Sequence, residues 1–146
     1  MGIFGGILYG LWAAALCWWD IRERRLPDAL TIPVGVLSVT FATWGGLAWP
    51  LLYLLVALCG AGIGGGDIKL GPPLGMLVSA TAGPLGVIIA CGGSAVLTLL
   101  ASGIARAKGG VPHGPSMLVA AGLVIAVHTL FEGEANILGC LVIPCV

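Results

Sequence analysis

The chain is short of charge. Of its 146 residues only 8% are charged, against about a quarter in an ordinary soluble domain. Six are cationic and six acidic, so the net charge is zero. That leaves too little polar surface to cover a water-soluble globule of this size. A cytosolic enzyme of the usual kind, a disordered tail and a secreted disulfide scaffold are all excluded. No basic stripe exists, so a nucleic-acid partner is not expected. Histidine is scarce, with two in the chain, and the five cysteines form no C-x-x-C pair. Neither a metal site nor a cofactor is therefore expected. What abounds is apolar: 59% of residues are hydrophobic and the mean hydropathy is +1.12. This is the composition of an integral membrane protein, with the lipid bilayer as its first partner.

The few charges come in clusters. Residues 1–19, 29–66, 70–105 and 109–131 carry none. A spanning helix needs about 20 apolar residues, so the two longer runs hold two helices each if each breaks near its middle. Gly45, Gly46 and Pro50 interrupt one; Thr81, Ala82, Gly83 and Pro84 interrupt the other. Such clusters mark turns. The expected fold is an all-α polytopic bundle of about six transmembrane helices, near 3–19, 30–48, 50–63, 68–82, 84–104 and 115–131. The third and fourth are short for a full span. Six helices that alternate in direction sort the loops into two sets. All six cations (Arg22, Arg24, Arg25, Lys69, Arg106, Lys108) fall in the set 20–29, 64–70 and 105–114. Glu132 and Glu134 fall in the other. Positive loops stay in the cytoplasm, which puts the N-terminus outside.

No basic stretch precedes Ile3, so the first segment reads as a mature helix and not as a signal peptide. Gly2, Gly6 and Gly10 form a stripe for close helix packing. Residues 1–146 read as one transmembrane domain with no linker. The tail 135–146 is expected at the outer interface, where Cys140 and Cys145 sit near enough in sequence to pair. The five cysteines are nonetheless read as packing residues.

Acidic residues at a bilayer are costly, so each is a functional candidate. Asp20 ends the first helix; Asp67 follows Gly64, Gly65 and Gly66. Both fall on the cytosolic side at adjoining helix ends, where two carboxyl groups can meet. Such a pair does not ionise twice cheaply, so one member keeps a proton. The charged acid can then take a proton from water while the neutral one donates to a scissile carbonyl. Lys69, if close, would oppose retention of that proton. The glycines allow an unusual turn into a helix whose N-terminus favours a carboxylate. Asp28 follows Pro27 and reads as a helix N-cap.

Three stretches now stand in order: Asp20-Ile-Arg-Glu-Arg-Arg-Leu-Pro27-Asp28-Ala-Leu-Thr31-Ile-Pro33, Gly64-Gly65-Gly66-Asp67-Ile68-Lys69-Leu70, and Val111-Pro112-His113-Gly114-Pro115. Together they resemble the type IV prepilin peptidase family of GxGD-type membrane aspartic peptidases. The resemblance implies that Asp20 and Asp67 are the catalytic pair, supported by Gly64, Gly66 and Lys69. It implies a prepilin-like precursor as substrate, cut between a basic leader and an apolar helix at the cytosolic face of the cell membrane. Many members methylate the new N-terminus with a cysteine-bearing extension; none is read here, so N-methylation by this chain is not expected. It looks like the short members that serve Flp/Tad pilins or archaellins. Where His113 stands, the family pattern more often has an aromatic residue.

Two other readings compete. Gly92-Gly93-Ser94-Ala95 with His128 could make a serine–histidine dyad, although Ser94 among small residues fits packing better. A non-catalytic scaffold or small transporter subunit would use the aspartates as interface charges. A transporter, however, holds charge near the midplane, and this chain has almost none there.

Overall fold

The computed structural model describes residues 3–40, 43–60, 64–105 and 111–142, the side chains of 105 and 132–142 excepted. All regular structure among them is helical. The helices are α1 (Ile3–Glu23), α2 (Asp28–Val39), a 3₁₀ turn (Trp44–Leu47), α3 (Ala48–Leu58), α4 (Gly65–Ala105) and α5 (Gly114–Val142). Three are long and apolar enough to cross a membrane: Ile3–Glu23, Gly65–Ile104 and Gly114–Phe131.

A straight helix the length of α4 would measure about 60 Å, twice the thickness of a bilayer core. It is not straight. Gly83 has φ 70° and ψ −176°, which no helix contains, and this is backbone that only glycine adopts readily. The chain reverses there. Asp67 and Ala95 line the same cavity, although a straight helix would hold them about 42 Å apart. The halves 65–82 and 84–105 therefore form a hairpin, and the expected break near Gly83 is present.

Other boundaries differ from expectation. The first helix runs on to Glu23, because nothing breaks it before Pro27. The second ends at Val39, not near 48, and the third begins at Ala48. Between them Gly46 packs so tightly on Met76 and Gly75 that a Cβ would fall 2.6 Å from the Met76 sulfur. Thr43 caps the short turn and donates to Ser79 at 2.6 Å. Helical residues are thus replaced by a close backbone contact with α4. The tail does not leave the last helix at 131; α5 continues to Val142. Cys145 lies outside the described residues, as do Arg106 and Lys108.

The core gathers around α4, which packs on α2, α3 and α5, while α1 packs on α5. Leu16, Trp49, Leu70, Leu74, Val87 and Met117 are fully or almost fully buried there. Large side chains such as Phe4, Leu11, Leu55, Ile88 and Leu99 point outward, as they would toward lipid. Tyr9 donates to the Leu118 carbonyl at 2.6 Å, and Trp12 to the Leu30 carbonyl at 2.9 Å. These two bonds fix the rotation of α1 about its axis.

Candidate active site

That rotation decides where Asp20 goes. Leu16 and Asp20 are the buried residues of α1, four apart and so on one face. Asp20 is only 8% exposed. Its carboxylate lies against the backbone N–H of Gly114, the first residue of α5. Its buried Oδ2 has no hydrogen-bond partner among the described residues.

Asp67 sits in the first turn of α4. The Gly64 carbonyl accepts from the backbone N–H of Asp67 at 3.0 Å and of Ile68 at 3.4 Å, which makes Gly64 the residue that opens the helix. The Asp67 carboxylate reaches back toward the Gly64 N–H, as an acid at the third helical position can. Each aspartate therefore faces a helix N-terminus, where unpaired N–H groups favour negative charge. The two carboxyl groups are close enough to interact electrostatically. They line one cavity of about 530 Å³ together with Gly64–Gly66, Arg24, Arg25, Lys69, Pro112 and His113.

The glycines have separate reasons. A Cβ on Gly64 would fall 3.3 Å from Asp67 Oδ2, and one on Gly66 3.2 Å from the Leu26 side chain. One on Gly65 would meet nothing within 4 Å. A side chain at Gly64 or Gly66 would need Asp67 or Leu26 to give way by a few tenths of an ångström, and one at Gly65 would not.

A sequence profile of the type IV leader peptidase family matches residues 7–100. The chain belongs to that family. No curated protein and no solved structure gives a significant match. Membership in the type IV leader peptidase family makes this protein a peptidase, and the apolar helices make it a membrane one. The matched region takes in Asp20 and Gly64–Asp67 but ends before Val111–Pro115. The structure brings that third stretch to the same cavity.

One expectation about charge is corrected and one made specific. Lys69 lines the cavity with Asp67, but its Nζ is bound to Asp28 Oδ1 at 2.6 Å. Asp28 does not cap its helix through the side chain; Pro27 is the cap residue and the carboxylate is turned to Lys69. The ion pair joins the start of α2 to the start of α4, and at half exposure it is worth no more than about 1 kcal/mol. Arg22 lies over the Trp18 ring, 5.7 Å from its centroid.

One group was not legible in the sequence. His113 Nε2 is 2.6 Å from the Tyr53 hydroxyl and Nδ1 is 2.5 Å from Thr98 Oγ1. The ring centroids of Tyr53 and His113 are 5.7 Å apart, with the planes tilted by 36°. Burial pushes the His113 pKa below its ordinary 6.5, so the ring is neutral at pH 7. Thr98 donates to the Ser94 carbonyl at 3.0 Å. It therefore accepts from Nδ1–H, and Tyr53 donates to Nε2. The carbonyl of the same His113 accepts from Met117 N–H at 3.1 Å and so starts α5. α3, the second half of α4 and the first turn of α5 are thereby pinned at one point, one residue from the Gly114 that meets Asp20. The signal available in the sequence was Tyr53 itself, a phenol in an apolar run that must find a partner if buried.

Ser94 is fully buried; its hydroxyl donates to the Cys91 carbonyl at 2.7 Å, and its oxygen lies 3.2 Å from that of Tyr53. Gly93, beside Ser94, faces Ala120 of α5, and His128 lies eight residues further on, about 12 Å along the helix. The serine–histidine dyad has no geometry to support it. Among the described residues no group of three or more His, Cys, Asp or Glu side chains gathers.

Proposed function

We propose that this protein is a membrane aspartic endopeptidase that removes the leader of prepilin-like precursors. The observation that carries the reading is the acid pair. Asp20 and Asp67 come from helices far apart in the chain and line a single cavity. One ionised carboxylate takes a proton from water, and the water oxygen attacks the scissile carbonyl carbon. The protonated partner donates to the carbonyl oxygen, and as the C–N bond breaks the leaving amine takes up a proton. Helix N-termini behind both acids stabilise the charge that remains on the pair. A scaffold would not need two acids from separate helices to share one cavity, so the alternative loses its support.

Arg24, Arg25 and Lys69 border the same cavity. Cations mark the cytoplasmic side, so cleavage belongs at the cytosolic face of the cell membrane, with six helical passes and the N-terminus outside. The substrate is a peptide. Co-expression of each variant with a candidate pilin precursor, read by mobility shift, tests the proposal. Asp20→Asn and Asp67→Asn should each reduce processing by at least about a thousandfold while the protein stays in the membrane. Full processing by either variant removes the mechanism.

A further inference from the structure

Asp20 stands on α1, which packs mainly on α5. Asp67 stands on α4, and α5 packs along α4 as well. The spacing of the two carboxyl groups is therefore set through α5. The contact that places Asp20 is close: the Gly114 N–H faces its carboxylate, and a Cβ on Gly114 would fall 2.5 Å from Oδ2. The neighbouring residue ties the start of α5 to the other helices. The His113 ring is held by Tyr53 of α3 and Thr98 of α4, and its carbonyl accepts from Met117 N–H. Both ring nitrogens are thereby committed, which leaves neither for water or substrate. Acid or base catalysis by His113 would first have to break one of these bonds. Yet the ring lines both the acid cavity and an apolar cavity of about 570 Å³ between α3 and the second half of α4. It stands beside the chemistry without a proton to trade in it.

We propose that His113 is a positioning residue: clamped by Tyr53 and Thr98, it holds the Gly114 N–H against the Asp20 carboxylate and so fixes the spacing of the two acids. The proposal rests on the peptidase reading and adds what keeps the acid of α1 in register with the acid of α4. An N–H acts on a carboxylate only at hydrogen-bond distance, so a small shift of the first turn of α5 is felt at Asp20.

With a purified pilin precursor, Tyr53→Phe and Thr98→Val should each lower kcat about tenfold and leave KM within about twofold. Thr81→Val, whose hydroxyl bonds carbonyls of its own helix, should cleave like the parent. His113→Gln keeps an acceptor for Tyr53 and a donor for Thr98, and should recover most of what His113→Leu loses. Combining Tyr53→Phe with Gly114→Ala separates positioning from general loosening. If both act on Asp20, the double variant should be within about twofold of Gly114→Ala alone. A second readout does not need turnover. His113-Gly114 is the one His-Gly pair in the sequence, so carbonyl-labelled histidine with nitrogen-labelled glycine isolates the Gly114 amide by NMR in detergent. Asp20→Asn should move that resonance upfield, and Tyr53→Phe should move it the same way. A raised KM with kcat unchanged makes the ring part of the substrate wall, and additive losses in the double variant make it a packing group. A Gly114 amide indifferent to Asp20→Asn removes the contact itself. Each of these outcomes overturns the proposal and leaves the peptidase reading intact. If the parent cuts no precursor while the amide answers to both substitutions, the peptidase reading ends and the placement of Asp20 by His113 stands.

Discussion

At Gly114 a single added methyl group would lie 2.5 Å from Asp20 Oδ2. The carboxylate would have to move, and reacting groups displaced by an ångström can lose about a hundredfold in rate. Gly114→Ala should therefore cut precursor processing by about that factor, whereas Gly65→Ala should stay within about twofold. Processing assays on the two variants at matched membrane levels check the contrast. His113 permits a different test. Its pKa is lowered by burial, so the folded protein prefers the neutral ring. The stability this gives is present above the ordinary value of 6.5 and is lost as pH falls through the lower folded value. The melting temperature in detergent should fall on acidification below about pH 6.5, and less steeply for His113→Phe. The role of His113 could not be read from the sequence, because its partners Tyr53 and Thr98 are 60 and 15 residues away in runs that look uniformly apolar. Asp20 and Asp67 were legible for the opposite reason: they are carboxylates in a chain that otherwise avoids charge.

Among the elements, α4 carries the most information. Its break was readable because a glycine followed by a proline interrupts an uncharged run too long for one span. The change of course after Val39 was not, since it depends on Gly46 touching the Met76 region of α4, and no local pattern encodes a contact across helices. Gly83 and Gly103 separate backbone need from space, because a Cβ on either meets nothing within 4 Å. Only Gly83 has positive φ. Gly83→Val should destabilise by about 1–3 kcal/mol, and Gly103→Ala by nothing measurable or should even stabilise slightly. Thermal unfolding in one detergent, with both variants side by side, decides the matter.

Across the whole molecule the acid cavity, the Asp28–Lys69 pair and the described cations of the first loop lie at one end of the bundle. Trp44, 92% exposed in the turn between α2 and α3, lies at the other end of α2 from Asp28. If the cation-bearing end faces the cytosol, a membrane-impermeant maleimide on intact cells should label Trp44→Cys in a cysteine-free background. Glu23→Cys should react only after permeabilisation. The reverse pattern would turn the molecule over. The clustering of charge made the two ends readable without coordinates. How α2 and α3, of 12 and 11 residues, meet the bilayer was not readable, because length alone does not say what covers a short apolar helix.

The reversal at Gly83 has a consequence for how such a protein can diversify. Asp67 stands on the outgoing arm of the hairpin and Cys91–Ala95 on the returning arm. The candidate acid and the small residues of the facing cavity wall thus belong to different stretches of one element. Replacements along the returning arm can reshape that wall while the turn that carries Asp67 stays as it is.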